Sequence, residues 1–359
     1  METPTRTTLS DLSRRDFLSA AFIAPAALGF PSHENRPVVA IARVTNDNIQ
    51  AAVERAIDLL GGIRSVTRGK ERVMLKPNLV SPTPGATTNR EVVSALAKLM
   101  RSAHKEVSIG EGSAAAGGFN ADGRVVYRTR NGDLLNRMQT YVFDRLGYSE
   151  LSKTLRIPLV NLHTGDMAKV KVTGGFVFEE VVLHRSLIET DLLCSVPIMK
   201  THVLAQVTLG MKNLVGLFPG TEYCSVRACM HDIASKVEPS GTAAAVIDMV
   251  RANKLGLVVV DASTAMEGQG PTDGKPVEMN LIIAGTNPLA TDMVSASLMG
   301  FEPPEIPTFA WANKAGMKPT GLDEIEVRGE RLEVVRKRFA RPQIVTWPSI
   351  RNFWGVKEI

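Results

Sequence analysis

Between residues 38 and 110 apolar runs alternate with amphipathic ones, and this alternation limits the fold more than any other feature of the chain. Residues 38–44 read as a strand. Residues 46–60 read as a helix, with Ile49, Val53, Ile57 and Leu60 on one face, a cap at Asn46 or Asp47, and Gly61-Gly62 as its stop. Residues 72–76 form the next strand and run straight into Pro77-Asn78. A second helix covers 89–102, and a third strand, 106–110, ends in Glu111-Gly112-Ser113. Strands joined through helices by short links pair in parallel. The expected fold is therefore α/β, a largely parallel sheet flanked by helices, built as one domain or two interlocked ones.

The pattern continues with interruptions. Residues 114–136 are rich in Gly, Ala and Arg, and a loop of that length is usually a lid or a binding loop. A short helix is expected at 141–148 and a strand at 157–162. Residues 170–172 and 176–183 read as a hairpin joined across Thr173-Gly-Gly175. The apolar run 192–197 should be a buried strand that presents Lys200, Thr201 and His202 in the turn beyond it. A segment of helical character then carries Lys212 and Asn213. His231 and residues 242–252 fall on helices, 255–261 and 278–284 on strands, and 288–299 on a helix. A strand is expected at 324–328, and the tail from Phe339 is irregular and aromatic.

A chain of 359 residues with 44% hydrophobic content can bury a sizeable core. Its net charge of +5 is spread out and its aromatic content is 5%, which argues against a nucleic-acid face, where basic residues cluster and aromatics interleave. No apolar run reaches the length of a membrane span, so no integral span is expected in the mature chain. Cys194, Cys224 and Cys229 show neither a C-x-x-C pair nor ferredoxin spacing, so this chain carries no iron–sulfur motif of its own.

Ser13-Arg14-Arg15-Asp16-Phe17-Leu18, followed by a weakly apolar stretch and Ala24-Pro25-Ala26, has the form of a twin-arginine export signal. Residues 1–30 are read as that signal peptide. The expected location is then the periplasm or cell envelope, with the twin-arginine translocation machinery as a partner. Residues 37–300 form the α/β domain, and 301–359 a C-terminal extension that packs on it.

In parallel α/β sheets ligands bind beyond the carboxyl ends of the strands, where loop backbones and helix N-termini converge. Polar residues recur at that position here: Lys76 and Asn78, Glu111 and Ser113, Lys200, Thr201 and His202, then Asp261, Ser263 and Glu267, and last Gly285, Thr286 and Asn287. Lys76, Lys200 and Lys212 suit a carboxylate or phosphate. Glu111, Asp261 and Glu267 suit a base or a hard cation. Duller roles exist for several of them. Lys76 before Pro77 can simply close a strand, Asp261 can cap the next turn, His231 can be an ordinary helix-surface histidine, and Asp292 can pair with a lysine as readily as meet a substrate.

At these residues the chain resembles the family called domain of unknown function 362. The likeness rests on Lys76-Pro-Asn-Leu79, on Lys200-Thr-His202 with Thr208, Met211-Lys-Asn-Leu-Val-Gly216 and Pro219, on Asp261 with Met266-Glu-Gly-Gln-Gly-Pro271, and on Gly285-Thr-Asn-Pro-Leu-Ala-Thr-Asp292. Many members carry an appended four-cysteine ferredoxin module, which this chain lacks. The resemblance thus implies redox or cofactor work, with a separate redox partner. Gly210-Met-Lys212, Pro219-Gly220 and His231 are also similar to the lysine and histidine region of nickel-pincer lactate racemases, a likeness that implies cofactor binding by Lys212 and metal binding by His231.

Taken together, the residues point to an exported enzyme that holds a small anionic ligand, an anionic organic cofactor or a metal in a cleft at the strand ends, for redox or isomerisation chemistry. Lys76, Asn78, Glu111, Lys200, Lys212, Asn213 and Asn287 would bind, His202, Asp261 and Glu267 would do chemistry, and His231 would hold a metal. The rival reading is a non-catalytic ligand-binding protein or cofactor chaperone of the cell envelope.

Overall fold

The strands are β1 (Val38–Arg43), β2 (Arg72–Pro77), β3 (Glu106–Glu111), β4 (Leu159–Asn161), β5 (Met167–Lys171), β6 (Glu180–His184), β7 (Leu192–Val196), β8 (Ile198–His202), β9 (Gln206–Thr208), β10 (Leu255–Gln269), β11 (Asp273–Gly285) and β12 (Glu326–Gly329). They come from a computed structural model that describes residues 36–114 and 128–353. The expected signal peptide, residues 115–127 of the long loop, and Trp354 lie outside the described residues. Ten strands form one sheet in the order β12-β1-β11-β10-β7-β2-β3-β4, with β8 bonded to β10, and β9 to β8. The run β10-β7-β2-β3-β4 is parallel throughout. β5 and β6 make a separate antiparallel pair, linked by a longer loop than the turn expected at 173–175.

Side chains alternate across each strand, so both faces of the sheet feed apolar cores, with Met74 and Leu193 joining a third cluster around Phe218 and Met249. Ala40, Ala42, Val73, Leu75, Leu257 and Val259 pack on one side with the helices Ile49–Leu59 and Arg90–Ser102. Val39, Ile41, Val258 and Val260 pack on the other with the helices Gly241–Ala252 and Pro288–Leu298. The first helix is capped by Asn48, whose side chain accepts from the Ala51 amide, because Asn46 and Asp47 take up a left-handed bend before it. Asn89 caps Arg90–Ser102 through the Glu91 amide. Such a cap is worth about 1 kcal/mol.

Two departures from the sequence reading matter for the site. Lys200, Thr201 and His202 are not in a turn; they complete β8, where Lys200 stands opposite Thr208 of β9 and beside Met266 of β10. Pro197 has no amide to donate and ends β7, so the chain shifts sideways and resumes as a new strand on β10. The second departure is a long antiparallel hairpin made by β10 and β11. β10 does not end near Asp261 but runs on to Gln269, which places Ser263 and Glu267 within the strand. β11 runs against its neighbours β1 and β10, so its carboxyl end emerges beside Val39, near the start of β1. Asn287 is thereby carried toward the edge away from the carboxyl ends of β2 and β3.

Among the described residues no helix is long and apolar enough to cross a membrane. The loop between β5 and β6 is anchored by one carboxylate: Asp248, fully buried, accepts from the amides of Phe176, Val177 and Phe178 at 2.7, 2.7 and 2.9 Å. Asp248→Ala strands these amides without an acceptor, so it should lower the unfolding free energy by about 3 kcal/mol, read from urea denaturation. A change under about 1 kcal/mol would show that the loop finds other partners.

Candidate functional site

The centre of the site is a buried ion pair. Lys76 Nζ at the end of β2 donates to Glu111 Oε1 at the end of β3 at 2.8 Å, and both side chains are at most 3% exposed. The same ammonium donates to Pro77 O at 3.0 Å and to Asn213 Oδ1 at 3.2 Å. Glu111 also accepts from the Leu79 and Gly112 amides, each at 2.8 Å. Asn213 lies on the 3-10 helix Lys212–Leu217 and donates through Nδ2 to Lys76 O at 3.0 Å and Ser195 Oγ at 3.1 Å. Asn78 Nδ2 donates to Asn213 Oδ1 at 3.0 Å. The ends of β2, β3 and β7 and this helix are thus bound into one polar node. Burial pulls the Lys76 ammonium down from its usual pKa, and Glu111 pushes it back up. Gly216 must be glycine here, because a Cβ would come within 2.5 Å of Glu111 Oε1 and 2.6 Å of Lys76 Nζ.

The node forms one wall of a cavity of about 790 Å³, within the range that holds a small-molecule ligand. Eight of the residues singled out from the sequence line it: Lys76, Asn78, Glu111, Lys200, His202, Lys212, Asn213 and His231. Lys200 is fully buried and donates to Ala86 O at 2.6 Å and Pro271 O at 3.1 Å. Its pKa falls to about 7, first through burial and then through Lys212. Lys212 has no hydrogen-bond or ion-pair partner among the described residues, and burial, Arg227 and Lys76 lower its pKa to about 8. His202 Nδ1 accepts from the Leu204 amide at 3.0 Å, so the neutral ring carries its proton on Nε2. Burial, then Lys212 and Lys200, hold that ring well below its usual pKa. His231 pairs through Nδ1 with Thr242 Oγ1 at 3.1 Å and stacks on Trp347 with ring centroids 4.5 Å apart. Burial, then Lys212 and Arg227, bring it down to about 3, so it too is neutral.

The sequence reading missed Arg227. This side chain is 2% exposed and donates to Ser113 O at 2.7 Å, Gly216 O at 3.0 Å, Val215 O at 3.2 Å and Gly112 O. It reaches them from a loop closed by a Cys224–Cys229 disulfide, in which Cys224, Val226 and Arg227 have φ of 62°, 49° and 57°. Left-handed backbone costs a residue with a side chain about 1–2 kcal/mol, and a β-branched valine rarely adopts it. Nothing in the periodicity around Arg227 marks it; the nearest sequence signal is its position between two cysteines. Trp347, read as part of a tail docking on the core, is also a cavity wall, and its Nε1 donates to Asp232 Oδ1 at 2.8 Å.

Three expected site residues are engaged elsewhere. Asp261 is buried, does not line the cavity, and accepts from the Asn89 amide at 2.7 Å and from Ser263 Oγ at 2.6 Å, so it anchors the helix that starts at Arg90. Glu267 accepts from the Ala340 amide at 2.7 Å and fastens the C-terminal extension to β10. Asn287 caps Pro288–Leu298 through the Ala290 amide and donates to Lys318 O. Asp292 neither pairs with a lysine nor faces the cavity. It accepts from the Gly210 and Met211 amides at 2.7 and 2.8 Å and so positions the turn before Lys212. Burial raises its pKa to about 7. Among the described residues no group of three or more His, Cys, Asp or Glu side chains stands close enough to hold a metal ion. His231 pairs with Thr242 and stacks on Trp347 and belongs to no such group among the described residues.

The family model described as "Domain of unknown function (DUF362)" matches residues 73–297, the span that holds the node and most of the cavity. The chain belongs to this family. Over 301 residues it is 26% identical to thylakoid-associated protein sll1697 of Synechocystis sp., covering 83% of this chain and 84% of that protein. Among solved structures, lactate racemase apoprotein from Thermoanaerobacterium thermosaccharolyticum aligns with a TM-score of 0.44 at 14% identity, over 76% of this chain and 58% of that one. A protein from Thermotoga maritima aligns with a TM-score of 0.38, also at 14% identity, over 68% of this chain and 56% of that one. The chain thus spans little more than half the length of either solved structure.

Removing one partner of a buried pair leaves an uncompensated charge. Lys76→Met in this DUF362 protein should therefore cost about 3–5 kcal/mol of stability in denaturant titrations, and Lys76→Met/Glu111→Gln should recover part of it. Additive losses in the double variant would mean that the two side chains do not act as a unit.

Proposed function

We propose that this protein is an exported enzyme that binds an anionic small molecule or cofactor in the cavity and transfers a proton on it, as in an isomerisation. The observation that carries the reading is the Lys212 ammonium, which reaches the cavity with no partner among the described residues. Around it the imbalance is general. Lys76, Lys200, Lys212 and Arg227 line the cavity against two carboxylates, of which Glu111 is committed to Lys76 and Asp273 is exposed. Cations crowded in a site of low dielectric repel one another until an anion enters, and that repulsion contributes to the lowered pKa values of Lys200 and Lys212. An anion is the ligand this arrangement favours.

The chemistry follows from the same pKa values. An ammonium lowered to about 7 (Lys200) exchanges its proton readily near neutral pH, and neutral His202 offers its Nε2–H as a hydrogen-bond donor to a ligand oxygen on which charge develops. Lys212 and Arg227 would offset negative charge that develops on the ligand during proton removal. Asp261 and Glu267 have no part in this assignment.

Lys212→Met should weaken binding of an anionic ligand about 10- to 100-fold, the worth of one charge-assisted hydrogen bond. Affinity in the unaltered protein should fall as pH rises through about 8, where Lys212 loses its proton. The stability of the unliganded protein should rise over pH 8 to 10.5, because the unfolded chain still holds a proton that folded Lys212 has shed. Calorimetry across pH checks both slopes. His202→Gln should abolish turnover and leave affinity within about threefold. Retained turnover removes His202 from the chemistry, and ligand affinity without turnover in the unaltered protein favours the binding-protein reading.

We propose export from the twin-arginine hexapeptide, with support from the Cys224–Cys229 disulfide, since such bonds persist outside the reducing cytoplasm. Arg14→Lys/Arg15→Lys should retain the protein in the cytoplasm on cell fractionation. An unchanged periplasmic fraction would sink the export reading.

A further inference from the structure

The Cys224–Cys229 disulfide is attached to the cavity on both sides. Within its loop, Val226 and Arg227 line the cavity, and Arg227 ties the loop to the turn after β3 and to the 3-10 helix that carries Lys212. The two cysteines, with Val226 and Ala228 of the loop, also pack with Trp347 from outside it in a small apolar cluster, against Leu204 and Ile350. That cluster is separate from the cores on the two faces of the sheet. Trp347 and Ile350 belong to the C-terminal segment that closes the cavity, which is held by the stack on His231, the bond to Asp232 and the Val345 amide on Val203 O. The remaining cysteine, Cys194, is buried in β7, so a reduced pair has no third thiol beside it with which to exchange.

We propose that Cys224–Cys229 is a reversible redox site whose substrate is a small or protein dithiol, and that its reduction releases the anion-binding cavity. A thiolate of the dithiol attacks one cysteine sulfur and breaks the S–S bond, and the other sulfur leaves as a thiolate and takes a proton. The second thiol of the reductant then attacks the mixed disulfide and frees the first cysteine. Two electrons and two protons pass to the protein, and the reductant becomes the disulfide.

Three residues of the loop hold left-handed backbone that no glycine relieves, so an uncrosslinked loop relaxes toward ordinary φ. Relaxation withdraws Arg227 from the carbonyls of Gly112, Ser113, Val215 and Gly216 and removes the floor on which Trp347 rests. The coupling runs both ways: an anion that stabilises the closed cavity must also shift the thiol–disulfide equilibrium toward the disulfide, by the same factor by which reduction weakens the anion.

This inference uses the anion-binding reading for one of its signals and stands apart from it for the other. Full-length oxidised protein is titrated with inorganic phosphate before and after treatment with dithiothreitol, with thiols counted and the emission of Trp347 followed against a Trp347→Phe control. Reduction should free two thiols, shift Trp347 emission to the red and raise the phosphate Kd at least tenfold. Reoxidation should restore both signals, and saturating phosphate should raise at least tenfold the ratio of reduced to oxidised dithiothreitol at which half of the protein is reduced. Cys224→Ser/Cys229→Ser should resemble the reduced protein; if that variant fails to fold, reversible reduction of the unaltered protein decides alone. Two free thiols with unchanged Trp347 emission and unchanged affinity would overturn the proposal. Absence of phosphate binding in the oxidised protein counts against the anion reading, and the Trp347 signal then decides the redox site by itself.

Discussion

The structure turns on one buried ion pair. Lys76 and Glu111 come from neighbouring strands, and taking two such charges out of water carries a penalty of several kcal/mol per ion. Their attraction offsets that penalty only when every remaining proton and lone pair is used. The residues around them are fixed by this need: Asn213 Oδ1 and Pro77 O accept further hydrogen bonds from the ammonium, and the Leu79 and Gly112 amides donate to the carboxylate. Gly216 leaves the space in which the pair sits. A change at any of these positions reaches the pair, and through it the ends of three strands.

Beyond the node the electrostatics are deliberately unbalanced. Elsewhere in the molecule buried carboxylates are answered by amides, as Asp248 is by the 176–178 loop and Asp292 by Gly210 and Met211. The cavity instead gathers Lys200, Lys212 and Arg227 around a carboxylate already spent on Lys76. Local conflict of this kind is what the anion-binding proposal rests on, because folding alone does not select for it. Asp292 shows how the fold maintains it: a carboxylate on a helix of one core fixes the turn that delivers an ammonium to the other side of the site.

The sheet class and the sheet edge that carries the cavity were legible because periodicity and short links specify them. The strand ends at Lys76 and Glu111 could be placed from the apolar runs that precede them. Failures came where a local pattern hides a pairing. No feature of residues 278–284 says that β11 runs antiparallel, yet that direction removes Asn287 from the cavity. The continuation of β10 to Gln269 likewise turned Asp261 and Glu267 from site carboxylates into anchors for Asn89 and Ala340. Arg227 was invisible because its burial depends on a crosslink and three left-handed residues, none of which leaves a periodic trace.

The cavity wall is also split along the chain. Lining residues up to Asp273 belong to the sheet and its connections, whereas Val345, Trp347, Ser349 and Ile350 come from a segment some seventy positions further on. That segment is fastened by the Val345 amide on Val203 O and by Trp347 on Asp232 and His231. A substitution at one of these fastenings alters access to the cavity without touching any of its cations.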